Sequence, residues 1–549
     1  MGEIHGTKRR FIMKKTGKTL AMLLSLLLML SMLLSACGNQ QGEESSQAPS
    51  DDPEHSDATI VTGGDEFERK TETGTFTIAY DEESETLEPT QIKLISGWTI
   101  TNLICDNIIA MDPETGEIYG VLADSFEYTD EYTLEIKMKD NIYFSNGVKA
   151  TSDDILFTLE RLSVSSRFAS NYSCIDFENT TCPDDLTIII KFKELYAPFL
   201  SYLAHPAAAL ESRAYFEEVG ENGYSRNPIG TGPYVLESWE AGERVTLKRN
   251  ENYWGEAGGC ETIVIRFILE STTRMIEYET GGVDAIYSLS GTDIDRMSAG
   301  EISNSVLHTK LGENVSVLEM YKGYEPLTDK NVRLAIAHAV DWEALVDTVY
   351  GSSGQLADSI LPPDCLYYKS VGVYEYDPEL SRQLLEEAGY GEDGSLVLTT
   401  HVYSGTEEEA CEIIQAFLKD VGVTMNIEIV DTATMIAAQV SGECNFGLSN
   451  STTTSRDPDQ AISSSRQTSD YGIAVITGFD DLQALYDQGA VEEDAEARRE
   501  IYEQIQQYYF DECVRIPVRV SIVSYAVRDY VEGFQPTSSG ILDLESVVS

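Results

Sequence analysis

Between residues 395 and 430 the hydropathy pattern changes period twice, and few architectures accept that order of segments. "SLVLTTHVY" (395–403) is rich in strand-forming residues, "TEEEACEIIQAFLKDVG" places apolar residues at 410, 413, 414, 417, 418 and 421, and "TMNIEIV" alternates again. A half-buried strand repeats roughly every two residues and an amphipathic helix about every 3.6, so the stretch predicts one βαβ unit. Thr406 and Glu409 stand at capping-box spacing, and Gly422 ends the helix.

The same logic places other elements. Asp377-Pro378 is an N-cap followed by proline at the first helical position, and that helix stops at Gly389. After Asp329, residues Val332, Ala335, Ile336, Ala339 and Val340 fall on one helical face. "YTLEIKMKDNIYFSNGV" reads as strand, turn and strand before a helix capped near Thr151. The fold class is therefore α/β with mixed sheets, and no internal repeat is visible.

The N-terminus has a different character. Lys8, Arg9, Arg10, Lys14, Lys15 and Lys18 precede a nearly unbroken apolar run from Leu20 to Leu34. Charge followed by hydropathy is the order of a secretory signal, and the run lies near the lower length limit for spanning a bilayer. Small Ser35 and Ala36 suit a signal-peptidase pocket, and Leu34-Ser35-Ala36-Cys37 resembles a bacterial lipobox. In that reading residues 1–36 are removed, and Cys37 carries several acyl chains of the palmitate type, enough for stable anchoring. From Gly38 to about Thr73 the chain is rich in Ser, Gly, Glu and Asp, with only Ile60, Val61 and Phe67 as large apolar residues. Residues 37–73 are expected to form a flexible acidic tether, because so little apolar surface cannot offset the entropy of ordering.

The chain has 549 residues, 42% of them apolar, which is ample for more than one core. With 93 acidic against 38 basic residues its formal charge is −55. Phosphates and anionic lipid are repelled by such a surface, which excludes nucleic acid and broad membrane contact and leaves the lipid as the anchor. Beyond Cys37 stand eight cysteines without a C-x-x-C pair, so no zinc or redox site is signalled. Cys174 and Cys182 flank a short polar stretch and admit two readings, a disulfide or two free thiols. H-E-x-x-H and G-x-S-x-G are absent, "GKT" at 17–19 lacks the glycine a phosphate loop needs, and the 6 histidines are scattered. Nothing assembles a nucleophile, base and oxyanion hole, so a surface hydrolase has no support, and no cofactor or metal is implied.

"NPIGTGPYVLESWEAGERVTLKRNENYWG" (227–255) predicts paired strands, Tyr234 to Trp239 and Arg244 to Arg249, joined at Ala241-Gly242. This stretch resembles the signature of the family 5 extracellular solute-binding proteins of ABC importers, which includes oligopeptide, dipeptide and nickel receptors. The resemblance continues through "YFSNGVKATSDDILFTLERL" (143–162), "YETGGVDAI" (278–286), "DKNVRLAIAHAVDWEALV" (329–346) and "YDPELSRQLLEEAGY" (376–390), and spans residues 75–549 in order.

The resemblance implies a two-lobed, periplasmic-binding-protein-like fold of the large, three-subdomain type II form, hinged around a cleft. One lobe would hold residues 75–314 and 514–549, with an extra subdomain at about 121–225, and the other residues 315–513. It implies a non-enzymatic, monomeric receptor on the extracytoplasmic face of the cell membrane, lipid-anchored as in Gram-positive relatives, with permease subunits and their ATPases as partners. The implied ligand is a short peptide or peptide-like solute. A nickel complex, a saccharide or an opine-like compound is the alternative.

In peptide-binding relatives an Asp four residues before a proline holds the ligand's amine. The matching position before Pro458 is Thr454. Asp457 and Asp459 are the nearby substitutes and Arg456 a partner for a carboxylate, while Asp457-Pro458-Asp459 reads equally as a turn and helix cap. Trp98, in "SGWTITN" (96–102), matches a cleft-lining segment of relatives and offers either a flat apolar face to a ligand or a core side chain.

Overall fold

The computed structural model describes residues 57–63, 74–113, 115–256, 258–321, 323–391, 395–403, 405–463 and 478–549. The signal-like segment 1–36, Cys37 and most of the expected tether lie outside these residues.

Two long strands organise the molecule, Ser305–Met320 and Arg515–Arg528. They pair antiparallel, from Ser305 opposite Arg528 to Glu319 opposite Arg515. The first half of Ser305–Met320 takes Ala58–Thr62 as its other neighbour, and the second half takes Phe446–Thr452. Arg515–Arg528 likewise pairs with Gly354–Leu356 near its middle and Ala285–Tyr287 near its end. The register slips between Leu311 and Val315, so Gly312, Glu313 and Asn314 stand opposite the single residue Ser521. Such a bulge bends a strand and re-aims its side chains.

Beyond Ala285–Tyr287 the sheet runs on through Thr75–Tyr80, Thr262–Phe267, Arg244–Arg249 and Tyr234–Glu240. Thr75–Tyr80 is parallel to both its neighbours and the remaining pairs are antiparallel, so the sheet is mixed as expected. The hairpin turns at Gly242, whose φ of 76° favours glycine. Gly230, ahead of the hairpin, is required for another reason. A Cβ there would lie 2.1 Å from the Ile104 carbonyl oxygen, so only glycine lets this loop seat on the helix Ile95–Ile104.

A four-stranded antiparallel sheet, Ala123–Asp130, Thr133–Met138, Thr187–Lys191 and Thr181–Asp184, packs with the helix Ser152–Leu162 around Leu134, Ile136, Ile155 and Leu159. Thr151 and Asp154 close a capping box at that helix's start. The predicted βαβ unit is present: Val397–Val402 and Thr424–Ile429 are parallel and joined by the helix Thr406–Asp420. Its core includes Leu398, Ile414 and Leu418 with Val332 and Ile336 from the helix Lys330–Ala339. Fully burying each such side chain contributes roughly 1.5–3 kcal/mol. Asp377 caps Pro378–Glu387, and Gly389 follows at φ 88°.

Three local readings change, and one that was open resolves to one of its alternatives. Residues 58–62 are an edge strand rather than tether, because Ile60 reaches the core beside Leu307 once a partner strand satisfies the backbone. Residues 142–149 make only the isolated bridge Tyr143 to Lys149 instead of a second strand, since Thr133–Met138 already has Ala123–Asp130 and Thr187–Lys191 on its two edges. The cap of the helix Thr406–Asp420 moves one residue earlier, to Gly405, whose N–H donates to Glu408. Cys174 and Cys182 are free thiols directed at different carbonyls, those of Asn171 and Ser152.

Candidate functional site

A cleft of about 690 Å³ opens where the bulge of Ser305–Met320 meets loops from both ends of the chain. Asn102, Met111, Ser201 and His205 line it together with Thr454, Ser455 and Arg456, and Lys310, Glu313, Asp364 and residues 535–539 complete the lining. The volume is in the range that encloses a small organic ligand.

Arg456 spans this cleft. Its Nε donates to the Asp364 carbonyl and one terminal nitrogen to Asp364 Oδ1, both at 3.0 Å, while the other reaches the Asp112 carbonyl at 3.0 Å. Asp364 Oδ2 accepts in turn from the Ser538 hydroxyl. The backbone at Arg456 is left-handed, with φ 55°, and is held there by Thr453 and Leu366, which bond its N–H and C=O. Strained backbone of this kind persists only where its surroundings impose it.

Thr454 is held by two donors. His205 Nδ1 accepts the Ala207 N–H, so the neutral ring carries its hydrogen on Nε2, which donates to Thr454 Oγ1 at 2.9 Å. Burial, reinforced by Arg167, lowers the His205 pKa to about 3 and keeps the ring neutral. Gln460 Oε1 accepts the Ser455 N–H, which orients its amide so that Nε2 donates to Thr454 Oγ1 at 3.0 Å. With both lone pairs occupied, the Thr454 hydroxyl presents its hydrogen. The wall at this position offers a donor where an acid would offer an acceptor.

The other expected site residues lie behind this wall. Asp457 is buried and receives Arg498 through two bonds, at 2.7 and 2.9 Å. Its Oδ1 also accepts the Asp459 N–H, the helix-cap geometry that the sequence left as one of two readings. Asp459 accepts from the Tyr196 hydroxyl at 2.9 Å. With His205 on Thr454 and Ser201 3.5 Å from Asp457, segment 196–205 meets loop 454–459 at three points. Trp98 is buried and sets its ring edge-on against His205, 5.3 Å between centroids. It positions the histidine, and Asn102 of the same segment lines the cleft instead.

The family model for bacterial extracellular solute-binding proteins, family 5 (middle region), matches residues 117–472. The chain belongs to that family. A dipeptide-binding protein of Escherichia coli K12 is 27% identical over 462 residues, covering 79% of this chain and 85% of the relative. Among solved structures, the ABC transporter substrate-binding protein CtaP of Listeria monocytogenes superposes with a TM-score of 0.76 at 22% identity, covering 87% of this chain and 99% of that one. The A. tumefaciens protein AgaA, in complex with agropinic acid, gives 0.73 at 22% identity, covering 86% and 99%. At those identities the two structures establish the fold, which is that of periplasmic binding proteins.

In this family 5 protein, Thr454 and Arg456 line the cleft, whereas Trp98, Asp457 and Asp459 support its walls. Glu313, Asp364 and His205 were not singled out from the sequence. A signal for Glu313 existed, since "GEN" at 312–314 interrupts an alternating strand pattern with a glycine, as bulges do. Burial and nearby Asp364 push the Glu313 carboxyl up to about 8, against the pull of Arg456. Among the described residues no group of three or more His, Cys, Asp or Glu side chains is placed to hold a metal ion, and no helix is long and apolar enough to cross a membrane.

Proposed function

We propose that this protein captures a short peptide or peptide-like solute in the cleft lined by residues 201–206, 310–313 and 454–456 and delivers it, chemically unchanged, to the permease and ATPase subunits of an ABC importer. The observation that carries this reading is the cleft itself: peptide-sized, lined by segments far apart in the chain, and bridged by Arg456. The dipeptide-binding relative, similar over most of both chains, supports peptide as the ligand class. Residues 75–314 with 514–549 make one lobe, with the extra subdomain at 121–225, and residues 315–513 make the other. The bulge at 312–314 is the hinge between them. The mature protein is a monomer that begins at a lipidated Cys37 and works on the extracytoplasmic face of the membrane.

A solute with its own acceptor near position 454, such as an opine, is the second reading, favoured by the donor that Thr454 presents. Calorimetry with a pool of di- to pentapeptides, paired with small-angle scattering, tests the first. Binding with a smaller radius of gyration at unchanged mass is expected. A protein that ignores the pool and keeps one shape sinks the peptide reading.

A further inference from the structure

Glu313 occupies the middle of the bulge, where Ser305–Met320 exchanges Ala58–Thr62 for Phe446–Thr452 as its outer neighbour. Its carbonyl is held by Thr453, which donates its N–H at 3.0 Å and its hydroxyl at 3.3 Å. The side chain lines the cleft, is 6% exposed, and leaves Oε2 without a hydrogen-bond partner among the described residues. Buried polar atoms are nearly always paired, so an unmatched one that lines a binding cleft is open to a ligand group.

The charges of the cleft point the same way. Its lining holds two cations, and both are committed: Lys310 lies 3.8 Å from Asp57, and Arg456 3.0 Å from Asp364. Glu313 and Asp543, the remaining acids of the lining, have no ion-pair partner among the described residues. Thr454 cannot serve an ammonium, because its oxygen already accepts two hydrogen bonds. The titratable and charged groups facing Glu313 are Asp364 and Cys365 from one loop, Arg456 from another and Tyr525 from the paired strand, and the Ser538 hydroxyl lies within hydrogen-bonding reach of the carboxyl and favours its charged form.

We propose that Glu313 receives the ligand's cationic group, an ammonium or equivalent, so that this receptor reads the positive end of its solute at the hinge bulge and not in the loop 454–459. This deepens the peptide-type reading above and rests on it. The strand that carries Glu313 is the one shared by the two lobes, so a cation bound there sits beside the pivot of closure. A protonated carboxyl that accepts an ammonium gives up its proton to solvent. For a group titrating at about 8, capture at neutral pH releases ~0.9 proton.

The test is calorimetry at pH 7 on wild type and E313Q, using a pool of free-amine di- to pentapeptides and the same pool N-acetylated, in buffers of different ionisation heat. Wild type is expected to bind the free-amine pool at least about tenfold more tightly, because only a free ammonium can pair with the carboxylate that forms on capture, and to release close to one proton. E313Q, with thermal unfolding as the check that it folds, should lose both the preference and the proton release. Equal binding of the two pools by wild type, or a preference that survives in E313Q, overturns the Glu313 assignment and leaves the peptide reading standing. Binding of neither pool overturns the peptide reading and this inference with it. The wild-type comparison of the two pools is decisive even where the variant does not fold.

Discussion

Arg498 donates to both carboxylate oxygens of Asp457, at 2.7 and 2.9 Å, and both side chains are buried. The same carboxylate caps the helix Pro458–Ser463 through the Asp459 N–H, while Arg498 Nε holds the Gly489 carbonyl. One ion pair therefore fixes the shape of the loop that brings Thr454 and Arg456 into the cleft lining. The acid that a loop-level reading offers to a ligand is already used by the protein.

Replacing Asp457 by Asn leaves the Arg498 cation buried with half its partner removed. Breaking a buried pair on one side costs about 3–5 kcal/mol, more than an exposed pair contributes. Urea unfolding should show that loss, and Asp457→Asn combined with Arg498→Gln should lose less than the sum of the single variants. Loss of ligand binding at unchanged stability would instead make Asp457 a direct contact.

Stability should also depend on His205. Its folded pKa of about 3 lies below the ordinary 6.5, because burial opposes the charged form, with Arg167 adding to the effect. Between those values the unfolded chain holds a proton that the folded one does not. This contribution is full above pH 6.5 and lost as pH falls toward 3, with a slope near 1.4 kcal/mol per pH unit for one proton. Denaturation between about pH 4.5 and 7, within the interval where the two states differ in protonation, should show a shallower slope in His205→Gln. Parallel slopes in the two proteins would contradict a neutral His205.

Thr454→Asp puts an acceptor with four lone-pair sites where His205 and Gln460 already donate. Two of those sites satisfy the existing donors and the rest face the cleft, next to Thr453 and its bond to Glu313. Free-amine peptides should bind this variant several-fold more tightly by calorimetry, while N-acetylated ones gain nothing. Equal gains for both would mean that the added carboxylate acts through loop shape and not through the amine.

Labelling growing cells with a fatty-acid analogue should mark the wild type and leave Cys37→Ser unlabelled. Mature protein that retains peptides upstream of Cys37 would remove the lipid anchor from the account.

How far the sequence carries depends on the range of the interaction. Local events were legible: the βαβ unit at 397–429, the hairpin turning at Gly242, the Asp377-Pro378 helix start and the cap at Thr151 each depend on residues within a few positions of one another. Family membership was legible too, because a whole series of such local patterns recurs in order. The short edge strand at 58–62 was missed, since a polar segment with one core-facing Ile60 orders only when a long strand pairs with it.

The cleft belongs to the other class. The family resemblance marked the loop of Thr454, Arg456, Asp457 and Asp459 without telling which side chains reach a ligand, yet two face the cavity and two are turned to Arg498 and Tyr196. Which acid is free is decided by partners far away in sequence: Arg498 41 positions from Asp457, and Tyr196 263 positions from Asp459. Periodicity and capping are short-range properties that a chain carries wherever it goes. Whether a charge is satisfied or available is a property of packing, and for Glu313 and Asp457 only the folded molecule decides it.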